Sequence, residues 1–459
     1  MSTPPNWVAD DNTALFTDLY QLTMLQAYFV EGLDEEAVFD LFVRQLRLRN
    51  YLIACGLETC LRFLETLRFT DDDLAYLDTL GLFRDDFLAH LADFRFTGDV
   101  YAVREGTPVF ANEPILEVVA PIGQAQLIET FLLNQITFQT NLASKAHRVV
   151  RAAQGRAVSD FGMRRMHAAD APLKAARACY IAGVHSTSNV LAGRIYGIPV
   201  LGTMAHSYIQ AHDSEEEAFR AFAAVYPHTT LLVDTYDTLD GVRKVIALAQ
   251  EHGAAFQPGA IRLDSGDLAE LAKQSRRLLD AAGLNHVKIF ASSSLDEYAI
   301  TKLLDREAPI DGFGVGTRMS TVADRPYLDT VYKLVEYAGK GRMKLALDKS
   351  TVPGRKQVSR VDEAGKAARD VLALHDETLD GEPLLHCVMR GGQRTEAGRS
   401  RSLDDLRAHT EAATAHLPDP LFALEETDTP YPVVLSDQLR AKRDRIRAMV
   451  RGSGFSVQG

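Results

Sequence analysis

The amino-acid sequence predicts an α/β protein: an irregular (β/α) barrel with an additional N-terminal α+β domain rich in β-structure, and a C-terminal extension. From residue 157 onward, short apolar runs alternate with stretches of helical periodicity, and six strand-like starts follow one another about 25 to 35 residues apart. Between residues 98 and 121, short alternating runs are interrupted by glycine and proline, which is typical of antiparallel strands. A chain of 459 residues holds two or three compact units by the usual size of domains.

We therefore divide the chain into three regions. The N-terminal α+β domain covers residues 1–140, the barrel covers 141–350, and the extension covers 351–459 and is expected to pack on the other two. A doubly wound open sheet is the competing architecture for the alternating region, because it shows the same succession of strands and helices.

The N-terminal domain begins with a predicted helix at residues 13–30, where apolar residues recur at helical spacing after Thr17 and Asp18. Asp18 and Tyr20 lie at the start of this helix. The next predicted elements are a strand at 36–42, a helical stretch at 57–94 with residues 71–73 capping one segment, and a long helix at 124–153.

The first two units of the barrel share one order of strand, polar loop and helix. A short apolar run at 156–161 predicts a strand, and Arg164 and Arg165 form a basic loop after it. A second strand is predicted at 197–203, and His206 lies in the loop that follows. Because the loops after parallel strands meet on one face, we expect these arginines and this histidine to face a common space.

Four further strands of the barrel end in polar or glycine-rich turns. The strand-and-turn segments are predicted at 231–237, 260–267, 287–294 and 310–317. Their polar and glycine residues include Asp234, Asp264, Asp267, Ser292, Gly316 and Thr317. Beyond them we expect strands at 331–336 and 343–347, and a basic helix at 436–450 whose charges form a solvated face.

The net charge of the chain limits which classes of molecule it can bind. A net charge of −12 argues against a nucleic-acid-binding surface on the whole molecule, yet it allows a local cationic pocket for a phosphorylated metabolite. Basic residues are concentrated in one short region: Lys145, His147, Arg148, Arg151, Arg156, Arg164 and Arg165.

The cysteines and the N-terminus indicate the compartment. The four cysteines are scattered without a CxxC pair, so we expect buried thiols in a reducing environment rather than a disulfide framework or a zinc site. Residues 1–11 lack the features of a signal peptide, and no uncharged apolar run is long enough to cross a bilayer. We therefore expect a cytoplasmic protein that does not bind membranes.

His206 is the strongest candidate for a catalytic residue. A histidine on a loop that opens a helix, with Asp234 on the following unit available to orient its other ring nitrogen, suits a nucleophile or a general base. The alternative is a structural histidine held by a buried cap hydrogen bond.

The other strand-end residues suit transfer to or from a phosphorylated sugar. Arg164 and Arg165 offer planar charged forks for phosphate oxygens, and the turn 314–317 lets backbone N–H groups approach a phosphate. Asp264 and Asp267 flank a tight turn that can hold Mg²⁺ or sugar hydroxyls. Surface charge and helix capping are the alternatives for these residues.

Seven blocks of the chain, taken in order, resemble the nicotinate phosphoribosyltransferase family. They are TDLYQLTM (17–24), SDFGMRR (159–165), TSN (187–189), GTMAHS (202–207), VDTYD (233–237), RLDSGDL (262–268) and GVGT (314–317). The resemblance implies an irregular β/α barrel with a β-rich domain, assembled as a homodimer with shared active sites. It implies that nicotinate and phosphoribosyl pyrophosphate give nicotinate mononucleotide and pyrophosphate, coupled to ATP hydrolysis, in NAD salvage.

The resemblance also implies roles for individual residues. Phe161 and Tyr20 would enclose the pyridine ring, and the partner subunit would supply Tyr20 and Asp18. Arg262 would hold the nicotinate carboxylate beside Thr203. Asp264 and Asp267 would help position substrate. Arg164 and Arg165 would contact phosphates, Gly316 and Thr317 the ribose 5-phosphate. His206 would accept the γ-phosphoryl group of ATP as a phosphohistidine oriented by Asp234, and Mg²⁺ would bind through the pyrophosphate.

Two rival functions remain at this level. One is an enzyme of the same fold that uses nicotinamide or quinolinate. The adjacent pair Arg164 and Arg165 favours nicotinate over nicotinamide. Residues 166–168, however, depart from the small and polar residues that are usual in the family. The other is a non-catalytic sensor of phosphoribosyl metabolites. The intact set of arginines, carboxylates and histidine argues against the sensor.

Overall fold

The computed structural model describes residues 8–9, 12–345 and 351–452. The chain divides into two compact units: Met1–Asn141 with Tyr327–Gly459, called here the β-rich unit, and Leu142–Pro326, called the barrel unit. The region that the sequence set apart as an extension falls in the same unit as the N-terminal segment. The prediction that residues 1–11 are not a signal peptide concerns positions that mostly lie outside the described residues.

The N-terminal segment alternates helices and strands and ends in one long helix. Its elements are α1 (Leu19–Glu31), β1 (Glu36–Val43), β2 (Leu52–Ile53), α2 (Leu57–Thr66), α3 (Asp71–Thr79), α4 (Asp85–Ala92), β3 (Asp99–Ala102), β4 (Pro108–Val109), β5 (Pro114–Pro121), α5 (Ile122–Leu127) and α6 (Glu129–Ala152). The helical stretch predicted at 57–94 is three helices. The second begins at a capping box in which the Thr70 hydroxyl accepts from Asp73 N and the Asp73 carboxylate accepts from Thr70 N.

The barrel unit repeats short parallel strands followed by helices. Its elements are β6 (Ala157–Asp160), α7 (Ala171–Ile181), β7 (Ser186–Thr187), α8 (Val190–Tyr196), α9 (His206–Gln210), α10 (Glu215–Val225), β8 (Thr230–Leu232), α11 (Thr238–His252), β9 (Ala260–Leu263), α12 (Leu268–Ala281), β10 (Lys288–Ala291), α13 (Glu297–Asp305), β11 (Gly312–Val315) and α14 (Thr317–Ser320). The strands are apolar because both faces are covered, and the side chains of Leu231, Ile261, Ile289 and Phe313 are fully buried.

The strand order distinguishes a barrel from a doubly wound sheet. The six strands pair in parallel in the order β7-β6-β11-β10-β9-β8, and Val200 adds a parallel bridge to Thr187 beyond β7. The first strand of the unit therefore lies beside the last, which is the cyclic order of a barrel. Within the described residues no ladder joins Val200 to β8, so the barrel is open at one place. The predicted irregular (β/α) barrel is confirmed.

The C-terminal segment completes the β-rich unit. Its elements are β12 (Thr330–Tyr337), β13 (Lys340–Gly341), β14 (Lys356–Glu363), β15 (Lys366–Leu374), β16 (Glu382–Pro383), β17 (His386–Arg390), β18 (Gln393–Arg394), α15 (Leu403–Ala415), β19 (Val433–Leu435) and α16 (Asp437–Gly452). One antiparallel sheet has the order β13-β12-β1-β5-β3-β17-β18, and a second sheet has the order β16-β14-β15-β19. The antiparallel pairing predicted at 98–121 is confirmed by β3 and β5.

Two sequence expectations differ from the structure. The strand predicted at 343–347 is absent over residues 343–345, and its last two positions lie outside the described residues. The basic residues at 145–165 do not form one cationic pocket, because Lys145 is buried between Glu297 at 2.6 Å and Asp324 at 3.0 Å. Arg148 also pairs with Glu297, at 2.9 Å. The carboxylates neutralise these cations within the barrel unit.

Among the described residues, no helix combines the length and the apolar character that crossing a bilayer requires.

Candidate active site

The candidate site lies at the carboxyl edge of the barrel, where the loops after its parallel strands meet. We call these the strand-end loops. They begin at Phe161 after β6, Ser188 after β7, Val233 after β8, Asp264 after β9, Ser292 after β10 and Gly316 after β11.

His206 is held between two of the strand-end loops. It is the first residue of α9, and its Nδ1 lies 3.1 Å from Thr235 Oγ1 in the loop after β8. Its Nε2 lies 3.8 Å from Asp264 Oδ2 in the loop after β9. The imidazole side chain is 39% exposed, so Nε2 faces a carboxylate and remains open to a ligand.

Asp234 does not hydrogen-bond His206 in the structure, which differs from the sequence prediction. Its Oδ2 instead accepts from Asp264 N at 3.0 Å and from Ser265 Oγ at 2.5 Å. Asp234 lies one residue nearer the strand than Thr235, and there its carboxylate reaches the neighbouring β9 loop. Its Oδ1 is buried without a hydrogen-bond partner among the described residues. Asp234 therefore organises the loop that carries Asp264, and Thr235 contacts the histidine.

Arg262 and Thr203 meet although 59 residues separate them in the chain. Arg262 Nη1 donates to Thr203 Oγ1 at 2.6 Å, and Nε is buried without a partner among the described residues. Burial lowers the pKa of the Arg262 guanidinium, Asp264 and Asp234 raise it, and the nearby Arg164 lowers it. A half-buried cation with unused donors is suited to bind a carboxylate.

The two aspartates of the DSGD turn have different surroundings. Asp264 Oδ1 accepts from Ser292 Oγ at 2.5 Å, which joins the loops after β9 and β10. Asp267 is the N-cap of α12: one oxygen accepts from Glu270 N at 3.2 Å and the other from Arg306 at 2.9 Å. The structure thus gives Asp267 a capping role, and substrate binding by Asp267 stays a prediction.

The glycine-rich strand β11 makes room for an aromatic ring. A Cβ at Gly314 would lie 2.6 Å from the ring of Phe161 and 3.1 Å from that of Phe290. Phe161 also donates its N–H to Val315 O at 2.9 Å. Gly314 is therefore required by ring packing, whereas the sequence assigned it to phosphate approach. Gly316 and Thr317, which follow at the barrel edge, are half-buried and exposed respectively.

The remaining predicted residues are exposed. Arg164 and Arg165 lie on the 3-10 turn Met163–Arg165. Asp18 and Tyr20 belong to the β-rich unit, at the start of α1. Asp18 Oδ2 accepts from Thr130 Oγ1 at 2.7 Å, and the Tyr20 side chain is 49% exposed. The structure brings together His206, Arg262, Thr203, Asp234 and Asp264 in the barrel unit.

Sequence reasoning missed three residues that organise the strand-end loops: Asp160, Thr235 and Ser320. It placed Ser292 at a strand end without a role, whereas Ser292 Oγ donates to Asp264 Oδ1. The one signal in the sequence was the charge of Asp160 at the end of an otherwise apolar strand. The described residues contain no group of three or more His, Cys, Asp and Glu side chains that could hold a metal ion by themselves.

The fold and this arrangement define a class: a β/α-barrel protein whose strand-end loops bring cations, carboxylates and a histidine together at one edge of the barrel.

Comparison with known proteins narrows the class. Residues 15–137 match the model of the nicotinate phosphoribosyltransferase N-terminal domain, and residues 156–374 match the model of the nicotinate phosphoribosyltransferase family. The chain is 53% identical over 435 residues to nicotinate phosphoribosyltransferase pncB2 of Mycobacterium tuberculosis, covering 95% of this chain and 94% of that one. It is 44% identical to nicotinate phosphoribosyltransferase of Bacillus subtilis, covering 82% and 79%. The crystal structure of human nicotinic acid phosphoribosyltransferase matches with a TM-score of 0.85 at 28% identity, covering 94% and 99%.

The chain belongs to the nicotinate phosphoribosyltransferase family.

Proposed function

We propose that this protein transfers the phosphoribosyl group of phosphoribosyl pyrophosphate to nicotinate, forming nicotinate mononucleotide and pyrophosphate in the cytoplasm, as a step of NAD salvage. The transfer is coupled to ATP hydrolysis through a phosphohistidine at His206. The observation that carries the proposal is the half-buried Arg262, paired with Thr203 at the barrel edge that also holds His206 and Asp264. Family membership supports the reaction.

Nicotinate binds in this proposal by its ring and its carboxylate. Phe161 stacks on one face of the pyridine, and the partner subunit's Tyr20 covers the other, with the partner's Asp18 beside it. Arg262 donates charge-assisted hydrogen bonds to the carboxylate, and Thr203 holds the guanidinium in place. Nicotinamide lacks this negative charge, so Arg262 favours the acid over the amide.

The phosphate groups bind at the exposed cations and at the end of β11. Arg164 and Arg165 contact phosphate oxygens, while Gly316 and Thr317 contact the ribose 5-phosphate. Asp264, whose Oδ2 lies 3.8 Å from His206 Nε2 at the same barrel edge, would hold the Mg²⁺ that accompanies the pyrophosphate. Mg²⁺ supplies charge neutralisation on the leaving group.

The transfer itself needs positioning and charge stabilisation more than a strong acid or base. Displacement at C1 of the ribose develops positive charge on the sugar and negative charge on pyrophosphate, which the arginines stabilise. The pyridine nitrogen is the nucleophile. A ring anchored by Arg262 and Phe161 brings this nitrogen to C1, and such positioning lowers the barrier by roughly several kcal/mol.

The coupling step uses the Nε2 atom of His206. When Thr235 accepts a hydrogen bond from Nδ1, Nε2 keeps its lone pair for attack on the γ-phosphorus of ATP. The bond from this phosphorus to the bridging oxygen breaks, and ADP leaves. The phosphohistidine then favours phosphoribosyl pyrophosphate binding and product formation, and its hydrolysis completes the cycle.

The direct test is an assay with Mg²⁺, phosphoribosyl pyrophosphate and either nicotinate or nicotinamide, with and without ATP, in which the mononucleotide is quantified by chromatography. We expect nicotinate mononucleotide, formed faster with ATP. Equal turnover of nicotinamide would contradict the choice of the acid, and no product from either base would support the rival sensor.

Two variants assign the roles within this assay. Arg262→Ala should raise the KM for nicotinate roughly ten- to hundredfold, because a charge-assisted contact is lost. His206→Ala should keep the fold, as judged by circular dichroism, and lose the stimulation by ATP. Arg276→Ala is the matched control, because Arg276 bonds Val287 O and Leu284 O and contacts none of the strand-end loops in these bonds.

A further inference from the structure

Asp160 joins three strand-end loops with one buried carboxylate. It is the last residue of β6 and is 1% exposed. It accepts hydrogen bonds from Gly162 N at 2.9 Å, from Thr187 Oγ1 at 3.0 Å and from Ser320 Oγ at 3.4 Å. These donors follow or end β6, β7 and β11, which are neighbours in the sheet. The carboxylate therefore lies at the centre of three adjacent strand ends.

Each donor leads to a different part of the site. Gly162 lies between Phe161 and the turn of Arg164. Ser320 ends α14, the short helix that begins with Thr317. These two donors are packed tightly, since a Cβ at Gly162 would lie 1.5 Å from Ser320 Oγ. The loop after β6, which is proposed to bind the pyridine ring and is called the ring-binding loop, thus touches the loop after β11 beside Asp160.

The third donor reaches the loop of Thr203. Thr187 N donates to Pro199 O at 3.0 Å, and Leu201 N donates to Thr187 O at 3.0 Å. This short ladder directs the chain from residue 201 to Thr203, the partner of Arg262. Asp160 is thereby connected, through Gly162, Thr187 and Ser320, to the segments that carry the groups proposed to bind the pyridine ring, the carboxylate and the phosphates.

A buried carboxylate at this position costs desolvation free energy. Burial disfavours the charged form and raises the pKa of Asp160, while the hydrogen bonds from Gly162, Thr187 and Ser320 lower it. An apolar side chain would fill the same volume without this cost, but it would leave three donors from three loops without a common acceptor.

We propose that Asp160 is a positioning residue: its carboxylate holds the loops after β6, β7 and β11 at the spacing that brings the stacked pyridine to C1 of the phosphoribosyl group. Asp160 touches neither substrate and acts through the residues it orients. The inference rests on the proposed phosphoribosyl transfer.

The primary test compares Asp160→Ala with Asp160→Asn in the full-length protein. Alanine removes all three contacts, so we expect kcat to fall about ten- to hundredfold and the KM for both substrates to rise, since small misplacement is expensive in a two-substrate reaction. Asparagine can accept from Gly162 N with its oxygen and donate to Thr187 Oγ1 with its nitrogen, so it should restore most of the loss.

A second variant separates the loops. Ser320→Ala removes one contact, on the phosphate side, and we expect a higher KM for phosphoribosyl pyrophosphate with the KM for nicotinate unchanged. In the double variant that combines Asp160→Ala with Ser320→Ala, the serine substitution should have no further effect, because the carboxylate that accepts from Ser320 is already absent. Additive effects would show that the two residues act independently and would overturn the proposal.

The matched control is Asp311→Ala. Asp311 Oδ2 accepts from Ile289 N at 2.7 Å at the amino edge of the same sheet, away from the strand-end loops. We expect a lower melting temperature with unchanged KM values. If Asp160→Ala behaves in the same way, with kinetics intact well below its melting temperature, Asp160 is merely structural and the inference is wrong.

Two further outcomes keep the test decisive. If Asp160→Ala does not fold, an unchanged KM for phosphoribosyl pyrophosphate in Ser320→Ala overturns the inference, and a raised one supports it. Failure of the proposed function is recognised separately, because the unsubstituted protein would then form no mononucleotide.

Discussion

At the scale of single residues, the contacts of His206 decide which ring nitrogen is available. Thr235 occupies the side of Nδ1, and Asp264 Oδ2 stands 3.8 Å from Nε2. Asp234 contributes through the backbone of Asp264. The direct contact between Asp234 and His206 that the sequence predicted is absent. Thr235 and Asp264 face the two ring nitrogens instead, and Asp234 holds the loop of Asp264.

The role of Thr235 is testable by Thr235→Val, which keeps the shape of the side chain and removes its hydroxyl. We expect the rate of phosphohistidine formation from labelled ATP to fall about ten- to hundredfold, as for other residues that orient a reactive histidine. ATP-independent transfer should change little. Thr301→Val is the control, because the Thr301 hydroxyl donates within α13 to Glu297 O. Unchanged labelling would remove Thr235 from the coupling step.

At the scale of elements, buried charges join strands of the β-rich unit. Lys356 Nζ pairs with Asp40 Oδ2 at 2.7 Å, and Lys356 N donates to Glu117 Oε2 at 2.8 Å. Arg355 Nε lies 3.4 Å from the other oxygen of Glu117. These contacts join β1, β5 and β14. Burial, followed by the charge of Asp40, raises the pKa of Glu117 to about 8.

This pKa predicts a pH dependence of stability. The folded protein holds the Glu117 proton up to a pH of about 8, whereas the unfolded chain releases it near its ordinary value of 4.5. The folded state therefore binds more protons between these values, and the contribution of this group to stability is lost as the pH rises through that window. Asp40, Lys356 and Arg355 are the charged groups that face it.

The measurement is the melting temperature of the protein and of Glu117→Gln between pH 5 and pH 8. Glutamine cannot titrate, so the variant should gain stability relative to the unsubstituted protein as the pH rises. Glu363→Gln, at an exposed carboxylate that ends β14, should show a constant difference. A constant difference for Glu117→Gln as well would contradict the assignment.

At the scale of the whole molecule, the chain folds as two units whose candidate residues are divided between them. The barrel unit carries His206 and Arg262, and the β-rich unit carries Asp18 and Tyr20. The proposed dimer joins them by placing the partner subunit's Tyr20 at the ring-binding loop.

Mixed dimers test this arrangement. When Tyr20→Ala and His206→Ala subunits are combined, each heterodimer has one site with both defects and one with none. About a quarter of the original ATP-stimulated activity should therefore return after random exchange. Mixing His206→Ala with Arg262→Ala is the control: both changes lie in the barrel unit, and no intact site is formed. No recovery in the first mixture would show that Tyr20 does not act across subunits.

The sequence by itself determined the kinds of elements and the family. Alternating apolar runs and helical periods predicted the barrel, short interrupted runs predicted the antiparallel pairing of β3 with β5, and seven ordered blocks pointed to nicotinate phosphoribosyltransferases. These signals are local in the chain, because side-chain periodicity and turn residues reflect the backbone conformation of a few neighbouring residues.

The tertiary structure alone decided which residues meet. The pairing of β6 with β11 gives the open sheet the strand order of a barrel. Thr235 rather than Asp234 contacts His206, and Lys145 is buried against Glu297 instead of lining a cationic pocket. Gly314 proved to accommodate the ring of Phe161, and Asp160 to join three loops. Such contacts join residues far apart in the chain, and they depend on register, burial and strand order, which no local pattern specifies.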